Sequence, residues 1–310
     1  MKATKDKIKL VKNYQKKNLS HKRLPIQTHN ARDMRPPQSR LTRTFSKNTT
    51  LSSYSLFNGF SSPQLADKEV IYGINPVRLA LKSNRRKLIK LYISKGLSTK
   101  KHVRRDEIIE LTQKNSLPVS HVDSKLIDKV TGEANHQGFL LLTGFLPQFD
   151  AKDLFNAKNI NHLIALDQVQ DPQNLGAIIR SAGCFGFDGI ITSANRSSRI
   201  SATVSKSSAG ILELFDIYKV TNLAQSLQKL KDNGFWILGT DVEGKDIYEF
   251  TPPKKFVLVL GNEHKGIRQN VLKQSDWVLS IPNQLKDESL NVSVAAGIVM
   301  SALTHKKSTG

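Results

Sequence analysis

From Asn161 onward the chain carries a series of short apolar runs: "HLIALDQV", "GIITS", "LFDIYKV", "FWILGTDV", "KFVLVLG" and "WVLSIP". Most of them are apolar throughout rather than alternating. A strand with one wet face alternates polar and apolar side chains, whereas a strand buried on both faces does not. A mainly parallel sheet covered by helices is the arrangement that buries such strands, so the predicted fold class is α/β.

Upstream, residues 69–147 also read as strands alternating with helices, from "VIYGINPVRLAL" through "KLIKLYISKG" and "LPVSHVD" to "HQGFLLLTGF". They predict a separate small α/β domain. Residues 148–160 read as a linker, and 161–310 as the larger domain. Residues 1–68 contain only three acidic side chains (Asp6, Asp33, Asp67) among many Lys, Arg, Ser, Thr and Pro, and read as a disordered basic tail. An RNA-binding arm, a solubilising tail and an organelle transit peptide all fit that composition. The expected compartment is the cytoplasm, or the mitochondrial matrix if the tail is a transit peptide.

The formal net charge of +21 points to a polyanionic partner. The basic runs "KSNRRKLIK" and "KGLSTKKHVRR" are expected to touch RNA, while Tyr72, Tyr92 and Phe139 are assigned to core packing rather than base stacking. No apolar run approaches the ~18 residues of a membrane span. Cys184 is the only cysteine, which rules out an intrachain disulfide and a cysteine-based metal cluster. No HxxxH or HExxH pair is present, so no metal is expected.

Four loops at strand ends draw attention. In "DPQNLGAIIR", Asn174 is read as the N-cap of a helix whose apolar face is Leu175, Ile178, Ile179 and Ala182. Arg180 lies on another face, with Gly176 and Gly183 near it; either it is a surface arginine on a helix that needs glycine for close packing, or space is cleared for a substrate, and its position at the carboxyl end of a strand favours the second. In "VLVLGNEHKGI", Gly261 ends a strand and Glu263 either caps the next helix or orients a ligand. In "SIPNQLKDESLNVSVAAG", Ser289 is read as starting a helix, and Ser289, Asn291 and Ser293 give more polar side chains than a cap needs. "LGTDVEGKDIY" brings Thr240 and Gly244 to the same edge. The set describes a cofactor site without metal or nucleophile, and the absence of GxGxxG argues against a nicotinamide dehydrogenase.

"NLGAIIR", "LGNEHKG" and "IPNQLKDESLNVSVA", in this order and spacing, resemble the three motifs of the SpoU/TrmH family of RNA 2′-O-ribose methyltransferases. The region from "VIYGINPVRLAL" to "HQGFLLL" is similar to the family's small substrate-binding domain. The resemblance covers roughly residues 69–305 and is nearest to the enzymes that methylate a guanosine of large-subunit rRNA. It implies a trefoil-knotted sheet, a homodimer, and S-adenosylmethionine as methyl donor, held largely by main-chain groups of Thr240, Gly244, Gly261, Ile281 and Leu290. Arg180 would act on the target ribose, supported by Asn174, Glu263, Ser289 and Asn291. Because guanidinium stays protonated, Arg180 is expected to stabilise a developing alkoxide rather than serve as a base. Where the family's third motif usually has IPM and then a glycine two positions on, this chain has Asn283 and Leu285. Leucine resists positive φ, so the loop before Ser289 is expected to run differently. The same chemistry on tRNA is the near alternative; a non-catalytic RNA-binding assembly factor is the distant one, and its mark, loss of Arg180 or Asn291, is missing.

Overall fold

The computed structural model describes residues 57, 65–97, 103–157, 159–193, 198, 200–284 and 289–305. The apolar runs form one six-stranded parallel sheet. Its strands are β5 (His162–Leu166), β6 (Gly189–Ser193), β7 (Asp216–Val220), β8 (Trp236–Asp246), β9 (Phe256–Leu260) and β10 (Trp277–Ser280), in spatial order β10-β8-β9-β5-β6-β7. Every residue of β9 is buried, and β5 and β6 each have a single partly exposed terminus. Double-sided burial is thus the reason for the continuous apolar pattern. The expected α/β sheet is the one that forms.

The chain leaves β5 toward β6 and later leaves β9 toward the opposite edge at β10. Neighbouring strands whose connections diverge in this way open a crevice at their carboxyl ends. Helix α5 (Pro172–Cys184) follows β5, and α9 (Val292–His305) follows β10 and packs on α5. Leu175, Ile178, Ile179 and Ala182 are all buried in the main core beside Ile164, Leu258, Ala296 and Val299, as their spacing predicted.

Upstream, β1 (Lys68–Tyr72), β2 (Leu88–Ser94), β3 (Val119–Val122) and β4 (Phe139–Gly144) form a mixed sheet in the order β1-β4-β2-β3. Helices α1 (Ile74–Ser83), α2 (Val103–Lys114) and α3 (Ser124–Thr131) lie between these strands in sequence. Tyr72, Tyr92 and Phe139 are buried.

Three expectations need correction. Phe57 and Leu65, within the stretch read as a tail, are buried with Tyr92, Ile127 and Leu140, and Phe57 meets Tyr92 edge-on at 5.9 Å between ring centroids. Lys68, also inside that stretch, already belongs to β1, and residues 1–56 and 58–64 lie outside the described residues. The stretch read as a linker contains helix α4 (Ala151–Asn156), closed by a reciprocal Asp150–Asp153 capping box. Finally, Arg85 and Arg86 of "KSNRRKLIK" do not face solvent as RNA contacts. Arg86 is buried, with its Nε and Nη2 on the two carboxylate oxygens of Glu213 at 2.7 and 3.0 Å and its Nη1 on Glu69. Arg85 donates to the Phe215 carbonyl at 2.7 Å and to Asp216 at 2.6 Å. Both arginines therefore fasten the small sheet's lobe to the 3₁₀ turn Ile211–Leu214 and the start of β7 in the large one.

Candidate active site

Helix α5 begins earlier than the sequence reading placed it. Pro172 occupies its first turn, and Asp171 is the cap, its carboxylate accepting from the Gln173 N–H at 2.9 Å. Proline suits that position because its fixed φ is already helical and its missing N–H would have no partner there. Asn174 is thereby released from capping. Its Nδ2 donates to Glu263 Oε1 at 2.8 Å, and its Oδ1 accepts from Asn291 Nδ2 at 3.1 Å.

Asn291, not Ser289, caps α9. Its Oδ1 accepts from the N–H of Ser293 at 2.9 Å and from the Ser293 hydroxyl at 2.6 Å. These contacts fix the direction of the whole line. An amide oxygen committed to the helix cap leaves only the Asn291 amino group for Asn174; the Asn174 oxygen must accept it, so its own amino group must donate to Glu263. The structure thus joins Asn174, Glu263 and Asn291 into one polar relay across the carboxyl ends of β5, β9 and β10.

The middle of the relay has a support that sequence reasoning missed. Asn262 donates to Glu263 Oε2 at 3.2 Å and to the Gln168 carbonyl at 3.0 Å, while its Oδ1 accepts from the His264 and Lys265 N–H groups. Gln168 holds a left-handed conformation, φ 66°. Below it Asp167, fully buried, accepts from the Arg268 main-chain N–H at 2.8 Å, from its Nε at 2.8 Å, and from Nη2 at 2.7 Å. The loop that carries Glu263 is therefore tied at both ends to the end of β5. A carboxylate closing an otherwise apolar strand, as in "LIALD", was the available signal.

Gly261 permits this loop to fold back on itself: a Cβ there would sit 2.3 Å from the Gly266 carbonyl carbon. Thr240 donates its hydroxyl to the Val259 carbonyl at 3.0 Å, linking β8 to β9. Between residues 239 and 245, β8 breaks register against β10, and Gly244 lies exposed on that excursion with its carbonyl accepting from Ser280 Oγ at 3.2 Å. Neither Ile281 nor Leu290 makes a main-chain hydrogen bond to another backbone group among the described residues. Asn283 is exposed, and Leu285 lies outside the described residues.

Arg180 and Ser289 share no hydrogen bond with the relay. Arg180 is exposed on α5, and no carboxylate among the described residues pairs with it. The glycines near it do not clear space for a ligand. A Cβ at Gly176 would lie 1.8 Å from Ser207 Oγ, and one at Gly183 2.5 Å from Ile211 Cγ2. They are the close-approach points of α5 against α6 (Ala202–Ser207) and the 3₁₀ turn.

Two lobes, one a parallel sheet whose strand-end loops are joined by a polar relay, define a class that comparison with known proteins makes specific. Residues 161–301 match the SpoU rRNA Methylase family, and residues 70–148 match the RNA 2′-O ribose methyltransferase substrate binding family. The chain belongs to the SpoU family of RNA 2′-O-methyltransferases. It is 35% identical over 249 residues, 78% of this chain and 97% of the relative, to the 23S rRNA (guanosine-2′-O-)-methyltransferase RlmB of Neisseria meningitidis. It is 34% identical to the RlmB of Haemophilus ducreyi over 247 residues, 77% of this chain and 98% of that one. In fold it is similar to the SpoU methyltransferase AviRb of Streptomyces viridochromogenes, solved in complex with the cofactor AdoMet. The TM-score is 0.67 at 20% identity, covering 82% of this chain and 96% of that one.

Proposed function

We propose that the chain transfers a methyl group from S-adenosylmethionine to the 2′-hydroxyl of a guanosine in large-subunit rRNA, working as a homodimer. The observation that carries the reading is the Asn291–Asn174–Glu263 relay, which unites three loops of a SpoU-family chain at the carboxyl edge of its sheet. The rRNA guanosine is supported by the activity that the named relatives carry over nearly their full lengths.

The residues at the sheet edge fit the donor. The exposed main chain at Gly244 and the main-chain groups of Ile281 and Leu290 are available to hold it, with Thr240 and Gly261 setting the shape of β8 and β9 beside them. When bound, S-adenosylmethionine supplies an electrophilic methyl group on a sulfonium sulfur. The chain's task is then to align a ribose hydroxyl with it and to stabilise the negative charge that grows on that oxygen. Arg180, carrying a guanidinium without a carboxylate partner among the described residues, supplies the positive charge that offsets it, and holds an RNA phosphate that helps carry the proton away toward solvent. Glu263 is an orienting group rather than the base, since each of its oxygens already accepts an amide donor. Ser289, exposed two residues before the Asn291 cap, is the further group assigned to the ribose.

Dimerisation is supported by α9, which is rich in apolar residues and leaves Val294 half exposed, and by Leu290, exposed two residues before that helix. Among the described residues no helix is long and apolar enough to cross a membrane. An enzyme with this substrate works where large ribosomal subunits are assembled, in the cytoplasm or in an organelle matrix.

The test is methyl transfer from labelled S-adenosylmethionine to unmodified large-subunit rRNA and to bulk tRNA, with wild type, Arg180→Ala and Arg180→Lys, followed by mapping of the product. Arginine-dependent labelling of one rRNA guanosine is expected, with lysine a poor replacement because it lacks the planar fork. Labelling of tRNA alone moves the substrate. RNA binding without labelling of either overturns the catalytic reading.

A further inference from the structure

The small lobe contains a cavity of about 430 Å³ that the relay does not use. It opens between the start of α1, the end of β2 and the turn that enters β4, and its walls include Ile74, Ser94, Leu97, Arg105, Ser124 and His136. We propose that this cavity receives an unpaired base of the RNA that neighbours the methylated nucleotide. The proposal rests on the RNA methyltransferase reading above and adds a recognition site to it.

His136 in the wall is held at both ring nitrogens. His136 Nδ1 accepts from the Gly138 N–H at 3.0 Å, so its proton sits on Nε2, which donates to Asp128 Oδ1 at 2.9 Å. The ring is thereby fixed in both tautomer and angle. Gln137 and Gly138 follow with φ 54° and 83°. A left-handed glutamine is strained, and non-glycine residues in that conformation concentrate at functional sites. The consequence is that the Gln137 side chain turns outward at the cavity: its Oε1 accepts from the Ile74 N–H at 3.2 Å and from Lys206 Nζ at 3.1 Å. Its amino group has no partner among the described residues, which leaves two N–H donors at the mouth.

Chemistry and size select the ligand. Apolar walls at Ile74 and Leu97 suit the faces of a planar ring, and the Ser94 and Ser124 hydroxyls together with the Gln137 amino group suit its polar edge. The surroundings are cationic, with Arg105 in the wall, Arg104 held on Asn75 Oδ1 at 3.1 Å and Lys206 on Gln137. Unstacked bases splayed into pockets, with phosphates on a basic rim, are how single-stranded RNA is recognised.

Position ties the cavity to the cleft. Lys206 belongs to α6, and the next residue, Ser207, donates to the Pro172 carbonyl at 3.2 Å. Pro172 is the first residue of α5, two positions before Asn174 of the relay. A strand of RNA with one base beside His136 and its phosphate over Lys206 is thus led to the start of the helix that carries Asn174 and Arg180.

Gly96→Trp is the test. Gly96 lines the cavity, it needs no unusual φ, and a Cβ there meets nothing within 4 Å among the described residues, so the added ring enters the cavity. Losing one stacked base lowers affinity by roughly tenfold or more. The expected result is a KM for rRNA raised about that much, with kcat at saturating RNA, S-adenosylmethionine affinity and melting temperature unchanged. An unchanged KM overturns the proposal. Should the variant melt early, wild-type protein decides: ultraviolet crosslinking of 4-thiouridine-substituted rRNA is expected to mark the peptide holding His136–Gly138 or Ser94–Leu97, and crosslinks confined to the large lobe overturn the proposal. A wild type that transfers no methyl group would sink the catalytic reading instead, and the crosslink would still report on the cavity.

Discussion

Glu213→Gln replaces one buried carboxylate by an amide of the same size. In the wild type, Glu213 Oε1 accepts from Arg86 Nη2 at 3.0 Å and from Ser205 Oγ at 3.0 Å, and Oε2 accepts from Arg86 Nε at 2.7 Å. Whichever way the amide is turned, its amino group faces an N–H donor of a buried guanidinium. Removing one partner of a buried ion pair costs about 3–5 kcal/mol. Because Glu69 still accepts from Arg86 Nη1, the lower end applies, ~3 kcal/mol. For a chain of this size each kcal/mol moves Tm by about 2–4 °C, so the variant is expected to melt roughly 6–12 °C lower. Thermal unfolding followed by circular dichroism measures it, and urea midpoints check the free energy. In the double variant Arg86→Met/Glu213→Leu most of the loss is expected to return, because an apolar pair of similar volume leaves no buried guanidinium behind and only Glu69 loses its partner. Burial already pushes the Glu69 carboxyl up, so it accommodates the change by taking a proton. A single variant that melts within about 2 °C of wild type would refute the reasoning, since the clamp would then carry none of the assigned energy.

Other consequences are open to direct measurement. Gly176→Ala, which drives a methyl group to 1.8 Å from Ser207 Oγ, is expected to cost about 1–3 kcal/mol in chemical denaturation, with partial recovery on adding Ser207→Gly. Asn174→Asp sets a second carboxylate against Glu263, so the two are expected to share a proton at low pH and repel at high pH. Its kcat/KM relative to wild type should decline as pH rises, and a pH-independent ratio would count against the relay. Tyr92 Oη is buried without a partner among the described residues, so Tyr92→Phe is expected to be neutral or to stabilise by about 1 kcal/mol. Burial pushes the Tyr92 and Tyr218 phenols up to about 12. A phenol raised in the folded state contributes stability that is complete below its unfolded value near 10 and is lost as pH climbs toward 12. Tyr92→Phe should therefore flatten the alkaline part of the stability profile.

The large sheet was legible because double-sided burial leaves a mark on every residue of a strand, and β5 to β10 fall on the runs that carried it. The relay was legible in membership but not in wiring. Asn174 was taken for a cap since its side chain suits one, yet Asp171 followed by Pro172 was the stronger local signal. The purpose of a glycine is not local at all: Gly176 answers to Ser207 and Gly183 to Ile211, residues on elements whose approach only the fold decides. Arg85 and Arg86 misled for a similar reason. Two adjacent arginines in a basic run look like a solvent-facing patch until Glu213, over 120 residues later in the chain, is brought beside them. Phe57 escaped notice because a few aromatics in a short polar stretch carry too little pattern to declare an element. Asp167 and Arg268 were missed as a pair because each looks ordinary alone.

The arginine clamp also turns the protein into a gauge. With Arg85 and Arg86 bonding one lobe to the other, the spacing between the His136 cavity and Asn174 is set by ion pairs rather than by a free linker. An RNA lengthened by one nucleotide between the bases at those two places must bulge or present a different ribose, so the address of the methyl group is counted off in nucleotides from the lobe that does no chemistry.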